Sequence, residues 1–409
     1  MRFETPLDYF STGCRLLHVQ FPPCVARLVA SDWSPQGKPA VHEPWSRSTS
    51  SGASNAVESI STKGSKKHWL QAPEPLHDAF DPEEVQAWDS SRFEMVGKVQ
   101  DAVRNRGSVH QMVDIELGRP VAVKRMPNDW VCQSHQDFVQ HHPEETELPW
   151  QDIACNNFLN EIGYPYRCPL LGVFRDDETT SMVTELASEG DLFSWCSGAF
   201  LEQPGIAREL RVLPLARQIT DCVRQLHELS IVHQDLSLEN ILLSRGLQAL
   251  QVQVIDFGMT TTCRTFQKSA RGKPSYQAPE VHEDKPCDGF LSDAFAVGVT
   301  LYCLLVGDYP WLSTRVGGCK CFDFVLRNGF RAYLKKRKLR GGGGTVAQNM
   351  SEPLMRLLEG LLEINPEKRL TLGETVFDDG IGGARRSVLD EPWLWEGPGS
   401  AVPSSKPKA

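Results

Sequence analysis

The chain has 409 residues, 40% of them hydrophobic and 23% charged, which suits a soluble globular protein with room for one large two-lobed domain plus tails. Its formal net charge of -9 and pI near 5.7 argue against a dedicated nucleic-acid binder, which needs a basic face to neutralise phosphates. No apolar run approaches the roughly 18 residues of a membrane span, and the opening MRFETPLDYF meets Glu4 and Asp8 before any signal-peptide core can form. An intracellular, cytoplasmic protein with reduced thiols is therefore expected. The 12 cysteines are scattered, and the Cys319-Lys-Cys321 pair reads as two incidental thiols rather than a metal site.

Residues 31–75 are rich in Ser, Pro, Gly and Lys and bury too little apolar surface to offset ordering, so a flexible leader is expected within an extension over 1–88. From Arg92, RFEMVGKVQDAVR and QMVDIELGRPVAVKRM alternate apolar and polar residues as half-buried antiparallel strands do. Residues 127–150 form an acidic interruption containing His and Pro. DIACNNFLNEIGY reads as a short helix, and LLGVFRDDETTSMVTEL as two strands joined by an acidic turn.

After Asp191 the pattern turns helical. PLARQITDCVRQLHELS spaces its apolar residues at three and four. DAFAVGVTLYCLLVG is apolar nearly all round, which predicts a helix buried in a lobe; it is too short and too closely flanked by charge for a bilayer. KKRKLRGGGG reads as a solvated basic loop with a glycine linker, and GPGSAVPSSKPKA as a disordered tail.

Phosphoryl transfer asks a protein mainly for position and charge compensation. It needs a cation on the phosphates, hard oxygen ligands for Mg²⁺, and a carboxylate at the incoming hydroxyl. The chain offers such groups in order: VAVK ending at Lys124, HQDLSLEN with Asp235 and Asn240, and VIDFG with Asp256. SYQAPE, DAFAVGVTLYCLLVGDYPW and INPEKRLT follow. Taken singly, a lysine ending a strand is usually solvated and an Asn in a loop usually caps a turn. As an ordered set they resemble a eukaryotic-type protein kinase domain of the Ser/Thr kind, over about residues 90–380.

That resemblance implies a two-lobed α+β fold, with a small antiparallel β N-lobe carrying one helix and a larger helical C-lobe. The domain would span 89–380, with the N-lobe over 89–186 including the 127–150 insertion, the C-lobe over 187–380, and a tail over 381–409. It implies ATP and Mg²⁺ as cofactors and Ser/Thr hydroxyls of proteins as acceptors. Lys124 would pair the α/β-phosphates, Asp256 and Asn240 would hold Mg²⁺, and Asp235 would orient the hydroxyl and accept its proton. Glu161 would partner Lys124, with Glu144, Glu145 and Glu147 as alternatives. Val96 and Gly97 would belong to the phosphate-covering loop, with Val99 and Ala102 at its second and third glycine positions. Thr184 would stand at the back of the nucleotide pocket, and Glu185 and Ala187 would offer backbone groups to adenine. Val103, Ala122 and Leu242 would sandwich the base and Asp191 would reach the ribose. His233 and Phe257 would pack as core, Glu280 would pair with Arg369, and Asp293 would accept backbone hydrogen bonds from the catalytic loop.

Two departures stand in that loop. Gln234 replaces an arginine that docks a phosphorylated activation loop, so phosphorylation of Thr260–Ser275 is not expected to be the main switch. Ser237 replaces a lysine, while Lys273 stands where the family carries threonine. Lysine and hydroxyl have exchanged places, so Lys273 is expected to supply the cation with Ser237 as its hydrogen-bond partner. An active Ser/Thr kinase is the first reading; a pseudokinase and a small-molecule kinase of the aminoglycoside or choline type are the alternatives. The APE, Asp293 and Arg369 features belong to the protein-kinase substrate lobe and favour the first.

Overall fold

Alternating apolar residues decide the first layer. The structure, a computed structural model, describes residues 71–198, 202–246, 249–267, 270–340, 342–378 and 385–399; the expected leader lies outside them up to residue 70, and so does the tail from residue 400. A six-stranded sheet is built from β1 (Gln86–Ala87), β2 (Phe93–Ala102), β3 (Gly107–Asp114), β4 (Arg119–Pro127), β5 (Leu170–Arg175) and β6 (Thr179–Glu185), in the order β1-β5-β6-β4-β3-β2. All pairs are antiparallel except β1 on β5. Val121 and Val123 of β4 join Phe93, Met112, Phe174 and Val183 in a core cluster, which leaves Ala122 and Lys124 on the opposite face.

The interruption after β4 is folded. Helices α1 (Asn128–Val131) and α2 (His135–His141) bury Trp130, Val131 and Phe138 against Trp150 and Ile153 of α3 (Pro149–Glu161). The N-lobe thus adds two short helices to the expected one.

The second lobe contains α4 (Leu192–Ser197), α5 (Ile206–Glu228), the hairpin β7 (Ile241–Arg245) and β8 (Leu250–Val254), and the short pair β9 (Thr265–Phe266) and β10 (Cys287–Asp288). Then come α6 (Gly289–Val306), α7 (Lys320–Asn328), α8 (Phe330–Lys336), α9 (Glu352–Leu361) and α10 (Pro392–Glu396). By length and composition α6 could cross a membrane, but 94% of it is buried inside the protein. Gly298 lets it approach α9: a Cβ there would meet Leu361 and Leu362 at 2.9 Å.

Two boundaries differ from expectation, each because apolar residues outside the motifs find a surface to cover. Leu76 is buried with Phe158 and Leu159 of α3. Val388, Trp393 and Leu394 are buried in the C-lobe, where the Trp393 indole donates to Glu209 at 2.8 Å. The folded unit therefore extends before 89 and past 380. KKRKLRGGGG is not wholly solvated either, because Arg337 is buried with its guanidinium 2.6 Å from Asp308.

Candidate active site

Lys124 sits opposite Met182 of β6 and Val109 of β3, with its side chain running under the sheet. Its Nζ lies 2.7 Å from Asp152 Oδ2 and 3.2 Å from Asp256 Oδ1. Burial opposes its charge, but the two carboxylates prevail and hold its pKa above the usual lysine range. The expected partner Glu161 is exposed, beside Asn157 at 3.2 Å. Asp152 and Glu161 are nine residues apart on α3, about two and a half turns, and so point to opposite sides of the helix. Glu144 and Glu145 are exposed as well.

Asp152 acts on both sides. Its Oδ1 accepts the Phe257 amide at 2.9 Å, and the Leu148 amide donates to the Gly258 carbonyl at 2.9 Å. These bonds fasten the start of α3 to the IDFG segment. Glu147 is buried beside them, and its Oε1 accepts Asn105 Nδ2 at 3.0 Å. Burial, reinforced by the Asp256 charge, pushes its pKa up to about 8.

The catalytic loop is held from below. Asp293 accepts the His233 amide at 2.6 Å and the Gln234 amide at 3.0 Å. Asp288, not Asp293, caps α6. His233 packs on Phe257 with ring centroids 5.3 Å apart. Gln234 and Asp256 both adopt left-handed backbone, at φ 65° and 68°. Such conformations cost about 1–3 kcal/mol each and persist where the surroundings over-determine them.

Asp235 is 3% exposed. Its Oδ2 accepts Asn240 Nδ2 at 3.1 Å and Arg104 Nη1 at 2.6 Å, while its Oδ1 has no hydrogen-bond partner among the described residues. Lys273 Nζ lies 2.6 Å from Ser237 Oγ and 3.2 Å from Glu239 Oε2, and Lys273 and Asp235 line one cavity. Gly272, at φ 75°, permits this approach: a Cβ there would meet the Gln234 carbonyl at 2.6 Å. Behind the site, the two terminal nitrogens of the Arg369 guanidinium bond to the Glu280 carboxylate, with Nη2 at 2.9 Å.

A model of the protein kinase domain matches residues 105–381. The chain belongs to the protein kinase domain family. NUAK family SNF1-like kinase 1 of Homo sapiens is 27% identical over 288 residues, 69% of this chain and 38% of the relative. NUAK family SNF1-like kinase 2 of Pongo abelii is 30% identical over 257 residues, 62% of this chain and 35% of the relative. The chain thus aligns with little more than a third of the length of these relatives.

In this kinase domain the phosphate-covering loop is not where VGKVQDAV suggested. Val96 and Gly97 lie within β2, Gly97 opposite Gln111 beside an irregularity in register. The β2–β3 tip is Val103–Asn105, followed by Arg106 at φ 51°. Val103 stands 81% exposed at this tip rather than over a base. Val109 and Gln111 pair with Lys124 and Ala122 and share their face. The glycine the hairpin requires is Gly107, where a Cβ would overlap the Arg125 carbonyl oxygen. Asn105-Arg106-Gly107, turn residues between two alternating strands, was the available signal.

At the junction between the lobes, Ala122 pairs with Thr184 and Val121 with Glu185. The Glu185 carboxylate takes Arg119 and its carbonyl accepts Cys168 Sγ at 3.2 Å. Ala187 follows β6 and its carbonyl accepts the Gly190 amide. Asp191 caps α4 by accepting the Ser194 amide at 2.7 Å, and its backbone bridges to Leu242. The donor set also fits Mg²⁺: with its amide nitrogen committed to Asp235, Asn240 offers Oδ1, which together with the Asp256 carboxylate gives hard oxygen ligands.

Proposed function

We propose that this domain is an ATP- and Mg²⁺-dependent Ser/Thr protein kinase. The observation that carries the reading is the convergence of Lys124, Asp152 and Asp256 on one side of the site with Asp235 and Asn240 on the other. In it, Lys124 binds the α/β-phosphates and Asp152 positions Lys124. Asp256 and Asn240 hold Mg²⁺, which when bound neutralises phosphate charge. Asp235 accepts the proton of the substrate hydroxyl at Oδ1, the oxygen without a partner among the described residues. The backbone of Glu185 and Ala187 offers hydrogen bonds to adenine beside Thr184, with Ala122 above and Leu242 below, and Asp191 faces the ribose.

Lys273 supplies the cation that Ser237 lacks, held at the site by the Ser237 hydroxyl. The end of the activation segment is held by its own contacts instead of a phosphate: Gln277 Nε2 donates to the Arg271 and Gly272 carbonyls, each at 3.1 Å. The Glu280–Arg369 pair and Asp293 hold the lobe that receives a protein substrate.

The test is transfer of labelled phosphate from Mg·ATP to a Ser/Thr/Tyr peptide library. Label on Ser and Thr that disappears in Asp235→Asn is expected. Intact ATP binding without any transfer would leave a pseudokinase.

A further inference from the structure

The tip of the β2–β3 hairpin reaches into the site through three consecutive side chains. Arg104 Nη1 lies 2.6 Å from Asp235 Oδ2. Asn105 is buried and donates to Glu147 at 3.0 Å. The Arg106 guanidinium stacks 4.5 Å from the Trp130 ring centroid, 3.7 Å from Glu145. The Asn105 and Arg106 contacts fix the tip, and Arg104 aims its guanidinium at the carboxylate that meets the substrate hydroxyl. Arg104 also feels the charges of Glu147 and Asp256. Its cation therefore stands among the carboxylates around the place where the terminal phosphate must arrive.

Other features leave that phosphate short of positive charge and of amide donors. Ser237 is neutral, and the Lys273 ammonium is shared with Glu239. Side chains at Ala102 and Val103 limit how closely the hairpin backbone can approach phosphate oxygens. A guanidinium, by contrast, presents a planar fork that matches two phosphate oxygens at once. A terminal phosphate carries more negative charge than one carboxylate and outcompetes Asp235 for that fork.

We infer that Arg104 is a catalytic residue for the proposed kinase reaction: it lies on Asp235 in this structure and binds the γ-phosphate when Mg·ATP is present. The exchange frees Asp235 for the hydroxyl. As the substrate oxygen bonds to the γ-phosphorus, the bond to the bridging oxygen breaks. ADP leaves with that electron pair, the hydroxyl proton passes to Asp235, and Arg104 remains on the transferring group. This inference rests on the kinase assignment above.

The test compares the 409-residue chain with its Arg104→Ala and Arg104→Lys variants, reading calorimetric affinity for Mg·ADP and Mg·AMP-PNP alongside kcat and KM for ATP. In Arg104→Ala, Mg·ADP affinity should stay within roughly twofold, while Mg·AMP-PNP affinity and kcat each fall roughly tenfold or more. Arg104→Lys should fall between. An unchanged ratio of AMP-PNP to ADP affinity overturns the inference. So does an Arg104→Ala variant as fast as the wild type or faster, which would make the arginine only a plug. A wild-type chain that transfers no phosphate defeats the kinase assignment instead, and the affinity ratio still decides on Arg104 by itself.

Discussion

Asp152 reaches Lys124 from the first turn of α3 with a side chain one methylene shorter than glutamate, and its other oxygen holds the Phe257 amide. One carboxylate thus sets both the lysine and the start of the IDFG segment. Asp152→Ala is expected to lower kcat/KM for ATP at least roughly tenfold, about 1.4 kcal/mol, whereas Glu161→Ala should leave it unchanged. Steady-state kinetics on the two variants decide this, and the reverse order would refute the pairing. The Lys273–Ser237 contact permits a stricter test. If the cation has moved between the two positions, Lys273→Thr should lose activity and Ser237→Lys in the same chain should restore much of it. A double variant no better than Lys273→Thr would show that the two positions do not share one role.

Among the elements, the β2–β3 hairpin matters most, because strand pairing decides which residues form its tip. Gly107 packs on the backbone of β4, while Gly97 has open space around its missing Cβ. Gly107→Val must push the strands apart, at a cost typical of overpacking of about 1–3 kcal/mol. Gly97→Ala should change stability by no more than about 0.5 kcal/mol. Thermal melting of both variants distinguishes them, and equal melting temperatures would mean that the hairpin is registered differently. The same element brings Arg104 to Asp235 across 131 residues of sequence.

On the scale of the whole molecule, His227 joins three parts of the C-lobe. From α5 its Nδ1 lies 2.6 Å from Glu374, and its Nε2 lies 3.2 Å from Asp293, the residue that holds the catalytic loop. Burial alone would lower its pKa, but the two carboxylates raise it to about 9, against 6.5 when unperturbed. Between those values the folded chain binds more protons than the unfolded one. The stabilisation is therefore complete below pH 6.5 and declines as pH rises through about 9. The melting temperature of the wild type should fall over this window relative to that of His227→Gln, which lacks the titrating group. Parallel pH profiles would contradict a charged His227 in the fold.

Short-range pattern was enough for part of this. Lys124 lies in an alternating strand, Asp235 and Asn240 share one short loop, and Asp256 follows another apolar strand, so spacing along a single segment placed the principal polar groups. The buried helix α6 was legible in the same way, from a nearly unbroken apolar run, whereas the Glu280–Arg369 pair was an expectation from the family resemblance. The partner of Lys124 was not legible, because α3 offers a carboxylate on each of two opposite faces and only packing on the sheet selects one. The hairpin tip was signalled only by the turn residues Asn105-Arg106-Gly107, because VGKVQDAVRNRG alternates in more than one register and a slip of one residue reverses every side chain. The 127–150 segment looked polar by composition, yet Trp130 and Phe138 found cover beneath it. Local chemistry and spacing are properties of the chain. Which face of a helix turns inward, and which loop tip meets a distant carboxylate, depend on pairwise contacts between separated segments, and these exist only once the elements have packed.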